Sequence, residues 1–539
     1  MMSLLEQLLL TFSALTSTTY ILAVLAAVAA VIYYIYSNDS HDDWRRYGVK
    51  CPKFPAFFFL GDLKTQITEA FQKYGDTIGL PGRGRLVLLT TNFDLLRQIL
   101  IKDFNNFIDR SDRFPSISPF GKSLFFAKGA DWKRHRQIVS PTFASGKLKY
   151  ISKSIEKSAA DLTNYLEKAA KEDQIVPIKE LAGQYTCEII AKTAFGIDAK
   201  FIGEKDPEFY EYAKNMLHLP NRQGISKLVA FLLSTVPKLM DFSLNVLKLQ
   251  YFDVVDHKAN DYFGVSLRNT MAERRQLQKS GSARSHVDFL DLLMKANDAA
   301  ATGNLPASED QTWEQHQDGK SVQGLSEEEM IGHSMLIIFA GMETTATTLQ
   351  MCLAELALHP DIQEKVFKEI TSVVKSETPT HEELNSLTYM EQVINETLRM
   401  YPPVSMVTRI AKETRTYNGV TIPNGTMVQI PYFYILNDPK NFPEPQKFDP
   451  NRFSQEEKEK RDPLSFAAFG HGPRLCLGMR LAILELKQGL VHVLRKLKVV
   501  LNENTEPQKG SNEIKFTLRG LLTPDKTILL RFELRKVDS

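Results

Sequence analysis

The sequence predicts a mainly α-helical domain with a smaller β region, preceded by one N-terminal transmembrane helix. Three observations carry that prediction. No charged residue occurs between Gln7 and Asn38, a window long enough to cross a bilayer as one helix. A capped helix that is apolar in its middle is written between Ser326 and Leu358. The clearest β signal is Tyr74 to Thr91, where Gly and Pro mix with β-branched and aliphatic residues in the pattern of a short hairpin.

The most apolar part of the N-terminal window runs from Tyr20 to Tyr36 and is rich in Ala, Val and Ile. A cleaved signal peptide would show a basic start and a shorter apolar run, whereas the only early charge here is Glu6. Arg45, Arg46, Lys50 and Lys53 follow the span. Positive charge stays on the cytosolic side, so the N-terminus is expected in the lumen and the body in the cytosol. Cys51 to Gly61, with two prolines and four aromatic residues, reads as a stiff extended linker. The expected organisation is an anchor over 1–38, a linker over 39–61 and one domain over 62–539.

Of the 539 residues, 43% are hydrophobic, enough for a sizeable core, and the net charge is only +2. That near-balance argues against nucleic acid as the main partner, because phosphate neutralisation needs a concentrated basic excess. The four cysteines, Cys51, Cys187, Cys352 and Cys476, share no C-x-x-C spacing. Neither a zinc site nor a disulfide framework is suggested.

Gly82-Arg-Gly84 lacks the third glycine of a dinucleotide fingerprint, so no nicotinamide site is assigned. Beyond it the chain reads mainly helical to about residue 300, with clear periodicity in Ser152–Ala170 and Tyr185–Phe195. Ile225 to Val255 is unusually apolar but broken by Pro237 and three lysines. Core helices and a lid that touches lipid are equal readings of it. Asn297 to Gly324 reads as an exposed linker. Ser326-Glu-Glu-Glu329 then forms a capping box. At ~1.5 Å per residue the helix that follows spans roughly 48 Å before His359-Pro360 stops it, so it is expected to cross the centre of the domain.

Four short constellations could carry chemistry. In Ala340-Gly-Met-Glu-Thr-Thr345, the residues Ala340, Gly341, Thr344 and Thr348 share one face with little side-chain bulk. Thr344 and Glu343 could relay protons there; the ordinary alternative is close helix packing with a back-bonded threonine. Glu396 and Arg399 are three apart and can pair. They lie off the apolar stripe of Met390, Val393, Ile394, Leu398 and Tyr401, so the helical wheel makes them an exposed ion pair. Trp132 and Arg136 are four apart and suit a carboxylate clamp or, more plainly, a surface cation–π pair. Finally, Phe469-Gly-His-Gly-Pro-Arg-Leu-Cys-Leu-Gly478 sets a cysteine among three glycines and an arginine. The glycines permit a tight turn and close approach, Arg474 can reach an anion, and Phe469 can shield the sulfur. His471 is the rival ligand, ranked lower because its neighbours offer it no obvious partner.

Phe469-x-x-Gly472-x-Arg474-x-Cys476-x-Gly478 resembles the signature of the cytochrome P450 family. The other constellations fall into that family's order. Ala340 to Thr345 resembles its oxygen-activating helix, Glu396-x-x-Arg399 its ion pair, Phe448-x-Pro-x-Arg452-Phe453 its partner loop, and Trp132-x-x-x-Arg136 its haem-propionate helix. The likeness runs from about Trp44 to the end. Trp132 to Lys149 is most similar to animal microsomal members that oxidise drugs, steroids and other lipophiles. One departure is Leu436-Asn437, where those relatives often have His-Arg; this is expected to loosen one local contact.

The resemblance implies a cytochrome P450 fold and haem b with Cys476 as axial thiolate. Trp132, Arg136, Arg409 and Arg474 would hold the propionates, with Ala340, Phe469 and Gly478 also against the haem. Thr344 with Glu343 would guide protons. Phe125, Phe126, Phe339, Ala340 and Val404 would meet substrate. The resemblance also buries Glu396 and Arg399 and ties them to Arg452, against the wheel. It implies insertion of one oxygen atom from O2 into a lipophile, on the cytosolic face of the endoplasmic reticulum membrane. Electrons would come from NADPH through a separate flavoprotein reductase, docked on Lys133, Arg134, Lys147 and Lys149. Two other classes stay open: a haem-thiolate isomerase or lyase acting on peroxides, and a non-catalytic haem binder in the membrane. Neither needs the threonine and acid that this helix carries.

Overall fold

The structure is a computed structural model that describes residues 41–51, 63–80, 85–110, 117–205, 207–217, 255–281, 288–304, 323–511, 513–519 and 521–535. The expected anchor, most of the linker, Gly82-Arg-Gly84, residues 225–254 of the apolar stretch and most of the Asn297–Gly324 segment lie outside the described residues. The helices used below are α1 (Gly129–Val139), α2 (Ser145–Lys171), α3 (Ile178–Phe195), α4 (His257–Lys279), α5 (Phe289–Ala301), α6 (Glu327–Leu358), α7 (Pro360–Val373), α8 (Thr388–Met400) and α9 (Met479–Lys496).

The long helix α6 starts and stops where the sequence placed it. The Ser326 hydroxyl accepts from the Glu329 N–H, and the Glu329 carboxylate accepts from the Ser326 N–H at 2.8 Å. Pro360, which suits a first helical position, opens α7. Among the described residues α6 is the one helix long and apolar enough to cross a membrane, but most of that window is buried in the domain. It is the central core helix.

α3 runs alongside it at close range. A Cβ on Gly341 would stand 2.6 Å from Ile190 Cδ1, and the Thr186 hydroxyl donates to the Met342 carbonyl at 3.1 Å. Gly341 is therefore small for the sake of α3, not as part of an open face with Ala340 and Thr344. Thr348 is buried as well. α9 closes the other side, where the Tyr185 hydroxyl donates to the Glu485 carbonyl at 2.8 Å. Ile189, Leu349, Leu353, Val393 and Leu490 fill the core between these helices.

The β region is small and split. The predicted hairpin is present, with β1 (Thr77–Leu80) antiparallel to β2 (Val87–Thr90). Its sheet continues through β4 (Met427–Ile430), parallel to β2, to β3 (Val407–Ile410). Trp44 is fully buried against this sheet and donates to the Leu80 carbonyl. A side chain at Gly79 would strike its ring.

Asn297 ends up structured rather than in a linker. It lies in α5, and its amide receives the Leu325 N–H and donates to the Leu325 carbonyl. The half-buried Asn297 amide thus satisfies both backbone polar groups of the buried Leu325.

Candidate active site

The glycine-rich run before α9 is a closed loop. Gly470 and Gly472 sit at φ of +78° and +70°, a region that costs other residues strain. At Gly472 a Cβ would also fall on the Leu100 carbonyl. The Cys476 N–H donates to the Phe469 carbonyl at 3.0 Å, closing the turn. At Gly478 a Cβ would meet no protein atom, so protein packing does not demand that glycine.

Cys476 is solvent-accessible, yet the protein packed around it still pushes its thiol up. The Gly478 N–H, then Arg136 and Arg110, then the Met479 N–H, oppose that and favour the thiolate. The rival, His471, does have a partner: its ring bonds the Phe466 carbonyl, and burial holds its basicity down.

Above the loop lies a set of arginines. Trp132 and Arg136 on α1 are both buried, so they are not a surface pair. The cation on the Trp132 ring is Arg474, at 4.6 Å. Arg474 also donates to the Ala127 carbonyl at 2.9 Å. Arg409, on β3, is buried and donates to the Thr408 carbonyl. A fourth residue, Arg110, was missed by the sequence reading because it belongs to no motif. Its guanidinium lies 4.2 Å over the Phe125 ring.

These cations sense one another. Burial, then Arg409 and Arg136, bring Arg110 down to about 9. Burial, then Arg110 and Arg409, hold Arg474 well below its ordinary value. The Nε atoms of Arg110, Arg409 and Arg474 are buried without a hydrogen-bond partner. Asp109, a nearby carboxylate, accepts from the Gly129 N–H at 2.7 Å. Clustered buried cations with unmet donors are costly unless an anion joins them. Two propionates beside a ligating sulfur fit that need, so the residues present suit a haem.

In the middle of α6, Ala340 is exposed and Thr344 half-buried. The Thr344 hydroxyl donates to the Ala340 carbonyl at 2.7 Å, the back-bonding that the sequence offered as the ordinary alternative. Glu343 turns away from Thr344, toward α3. Its carboxylate takes the Lys179 ammonium at 2.5 Å, and Lys179 also donates to Thr347. The Cys loop meets α6 nearby, since Leu477 packs with Leu336 against the Trp132 cluster.

Of the five expected substrate contacts, Ala340 is the exposed one on α6, and the other four divide. Phe125 and Val404 are large apolar side chains left 41% and 38% exposed. Phe126 and Phe339 are half-buried and both flank Phe120, at ring distances of 5.5 Å and 6.4 Å.

The wheel-based exposure of Glu396 and Arg399 is overturned: both side chains are fully buried. The loop from Leu436 to Arg452 covers that face of α8. Arg399 binds Glu396 through two hydrogen bonds of 2.7 Å and 2.9 Å, and donates to the Leu436 and Pro445 carbonyls. Arg452 Nε lies 3.4 Å from Glu396. Asn437 donates to the Phe433 and Arg399 carbonyls, so the predicted loosening there is not seen. Of the expected docking lysines and arginine, Arg134 is only 16% exposed and is bound to Glu329 at 2.7 Å. The side chains of Lys147 and Lys149 lie outside the described residues.

A cysteine tempered by two backbone N–H groups, beneath buried arginines of which Arg110, Arg409 and Arg474 keep an unmet Nε–H, is a means of holding a haem by its iron and its propionates. The class is that of haem-thiolate proteins. The chain belongs to the cytochrome P450 family, whose sequence model matches residues 52–532. It is a cytochrome P450 monooxygenase. It is similar to cytochrome P450 3A11 of Mus musculus, 32% identical over 506 residues that cover 92% of this chain and 93% of the relative. Similarity extends to cytochrome P450 3A1 of Rattus norvegicus, 31% identical over 96% of this chain and 97% of the relative. The lithocholate 6-beta-hydroxylase of Mesocricetus auratus is 32% identical over 92% and 93%.

Proposed function

We propose that this chain inserts one oxygen atom from O2 into lipophilic small molecules of the steroid and xenobiotic type. It would do so as a single-pass protein of the endoplasmic reticulum membrane, with its catalytic domain in the cytosol. Electrons would arrive from NADPH through a separate flavoprotein reductase. The observation that carries the reading is Cys476, held by its loop in front of α9 and facing the buried arginines. The similarity to a bile-acid hydroxylase supports a steroid-like substrate, and the charge-free window from Gln7 to Asn38 supports the anchor.

Bound there, the haem iron would supply dioxygen binding and O–O cleavage, which an axial thiolate favours. The chain's own groups do the rest. The N–H groups of Gly478 and Met479 temper the sulfur, and Phe469 keeps water from it. Arg110, Arg136, Arg409 and Arg474, with the Trp132 N–H, would hold the propionates. The Thr344 hydroxyl, now on the Ala340 carbonyl, is placed to turn and hold a proton. Glu343, tethered by Lys179 on the α3 side, would pass protons to it from solvent through intervening water. Phe125, Phe126, Phe339 and Val404 exclude water and bind the lipophile.

The test is the reduced, CO-bound spectrum together with NADPH consumption when reductase is added. A red-shifted Soret band and NADPH-linked turnover of a steroid are expected. A band typical of histidine-ligated haem in folded protein overturns the thiolate assignment. Peroxide rearrangement without reductase points to the isomerase class instead.

A further inference from the structure

We propose that His333 is a positioning residue for substrate specificity: its imidazole fixes the loop that carries Phe125 and Phe126. This rests on the monooxygenase reading above and adds a residue that no motif contains.

The loop 117–127 is tied down at both ends. On the α6 side, His333 Nδ1 accepts the Leu124 N–H at 3.0 Å, one residue before Phe125. Gly332 lets that approach happen, because a Cβ there would strike the Pro119 carbonyl. Asn260 on α4 holds the front of the loop, accepting from the Phe120 N–H and donating to the Ser118 carbonyl at 3.0 Å. Ser118 donates to Glu328 at 2.7 Å. On the thiolate side, Arg474 holds the Ala127 carbonyl. The two phenylalanines are thus bracketed between an anchor on the oxygen-side helix and an anchor in the cysteine loop.

The His333 bond is the directional one. The ring is 1% exposed, and its edge meets the His135 ring at 4.8 Å and 86°. His135 is held in turn by Glu329 at 3.0 Å. A buried backbone N–H needs its acceptor. Losing Nδ1 would free Leu124 to seek another, and Phe125 and Phe126 would move with it. Burial drives the His333 value down to about 3, so the ring stays neutral and Nδ1 remains an acceptor throughout the working range.

The experiment compares His333→Asn, whose side-chain oxygen can replace Nδ1, with His333→Leu, which has similar size and no acceptor. Full-length protein is loaded with haem, and its reduced CO spectrum is checked. Products from one steroid with several oxidisable positions are then quantified, with testosterone as the probe. H333L should shift the ratio of products several-fold and weaken the substrate difference spectrum several-fold at unchanged haem content. H333N should stay near wild type. Equal shifts in both variants, or none in either, overturn the proposal. If H333L fails to load haem, Ser118→Ala loosens the same loop from its exposed end. It should move the ratio in a smaller degree, and an unchanged ratio again overturns the proposal. Wild type without the red-shifted band or turnover would instead defeat the monooxygenase reading itself.

Discussion

Lys179 on α3 and Glu343 on α6 form an ion pair with 2.5 Å between ammonium and carboxylate. The pair is part-exposed, with side chains 35% and 24% open. The acid beside Thr344 is therefore reached from the α3 side and from solvent.

A relay through Glu343 makes a definite demand. Glu343→Gln keeps the shape and removes the proton exchange. Turnover should fall on the order of 10²-fold, with haem content and CO spectrum intact and NADPH still consumed. Lys179→Ala should cost little stability, since part-exposed pairs contribute about 0–1 kcal/mol. It should alter product formed per NADPH without altering substrate binding. Wild-type coupling in E343Q would remove Glu343 from the relay.

The Glu396–Arg399 pair is under a different constraint. It has no water to fall back on: Arg399 donates four hydrogen bonds, two of them to carbonyls of the covering loop, and Glu396 also accepts from the Asp449 N–H at 3.0 Å. Breaking a buried pair from one side costs about 3–5 kcal/mol. Arg399→Lys cannot supply the fork and should lose most of that. Arg452→Ala, at 3.4 Å and partly open, should lose less. Chemical denaturation of haem-loaded protein reads both.

That pair also marks how far the sequence could be read. Local signals were sufficient wherever local physics decides: the Ser326 cap, the Pro360 stop, the Tyr74–Thr91 hairpin and the turn before Cys476. They failed where distant chain intervenes. The wheel for α8 could not see the loop from Leu436 to Arg452 arriving over its polar face. For Gly341 the sequence offers an open face or close helix packing, and only α3, with Ile190 against it, decides for the packing. Arg110 carries no motif, and only the folded chain brings it among Arg136, Arg409 and Arg474. In the sequence it stands only as one of two arginines in Asp109-Arg-Ser-Asp-Arg113, after the apolar Phe107-Ile108.

His359 gives a pH dependence of known sign. Its Nδ1 bonds the Glu355 carbonyl at 3.0 Å and lies 3.2 Å from the Glu355 carboxylate, at the junction of α6 and α7. The carboxylate raises the histidine above its ordinary value, against the opposing effect of burial. The folded state holds the proton more tightly than the unfolded chain. The stabilisation is complete below about pH 6.5 and is lost as pH rises through the raised folded value. Buried His135 and His333 are lowered instead, so they oppose folding as pH falls below that point. The difference in thermal midpoint between wild type and His359→Gln isolates the first effect. It should be larger at pH 6 than at pH 8. A constant difference would mean that His359 does not change its charge there.

Arg110 allows the arginine cluster to be tested with opposite signs in two states. Without haem, its guanidinium faces other buried cations, and these together with burial bring it down to about 9. Removing it should relieve that repulsion. Arg110→Leu should therefore raise the thermal midpoint of the haem-free protein, or leave it unchanged. With haem, the same residue offers a charge-assisted hydrogen bond to a propionate, worth about 1.5–3 kcal/mol. Its loss should weaken haem retention on the order of 10- to 100-fold, read as faster transfer of haem to an excess of apomyoglobin. Arg409→Leu should behave alike, since its Nε too lacks a partner. A purely structural arginine would move both measurements in the same direction, destabilising the haem-free protein as well. Stabilisation of one form with weakening of the other is what an anion-seeking cluster requires.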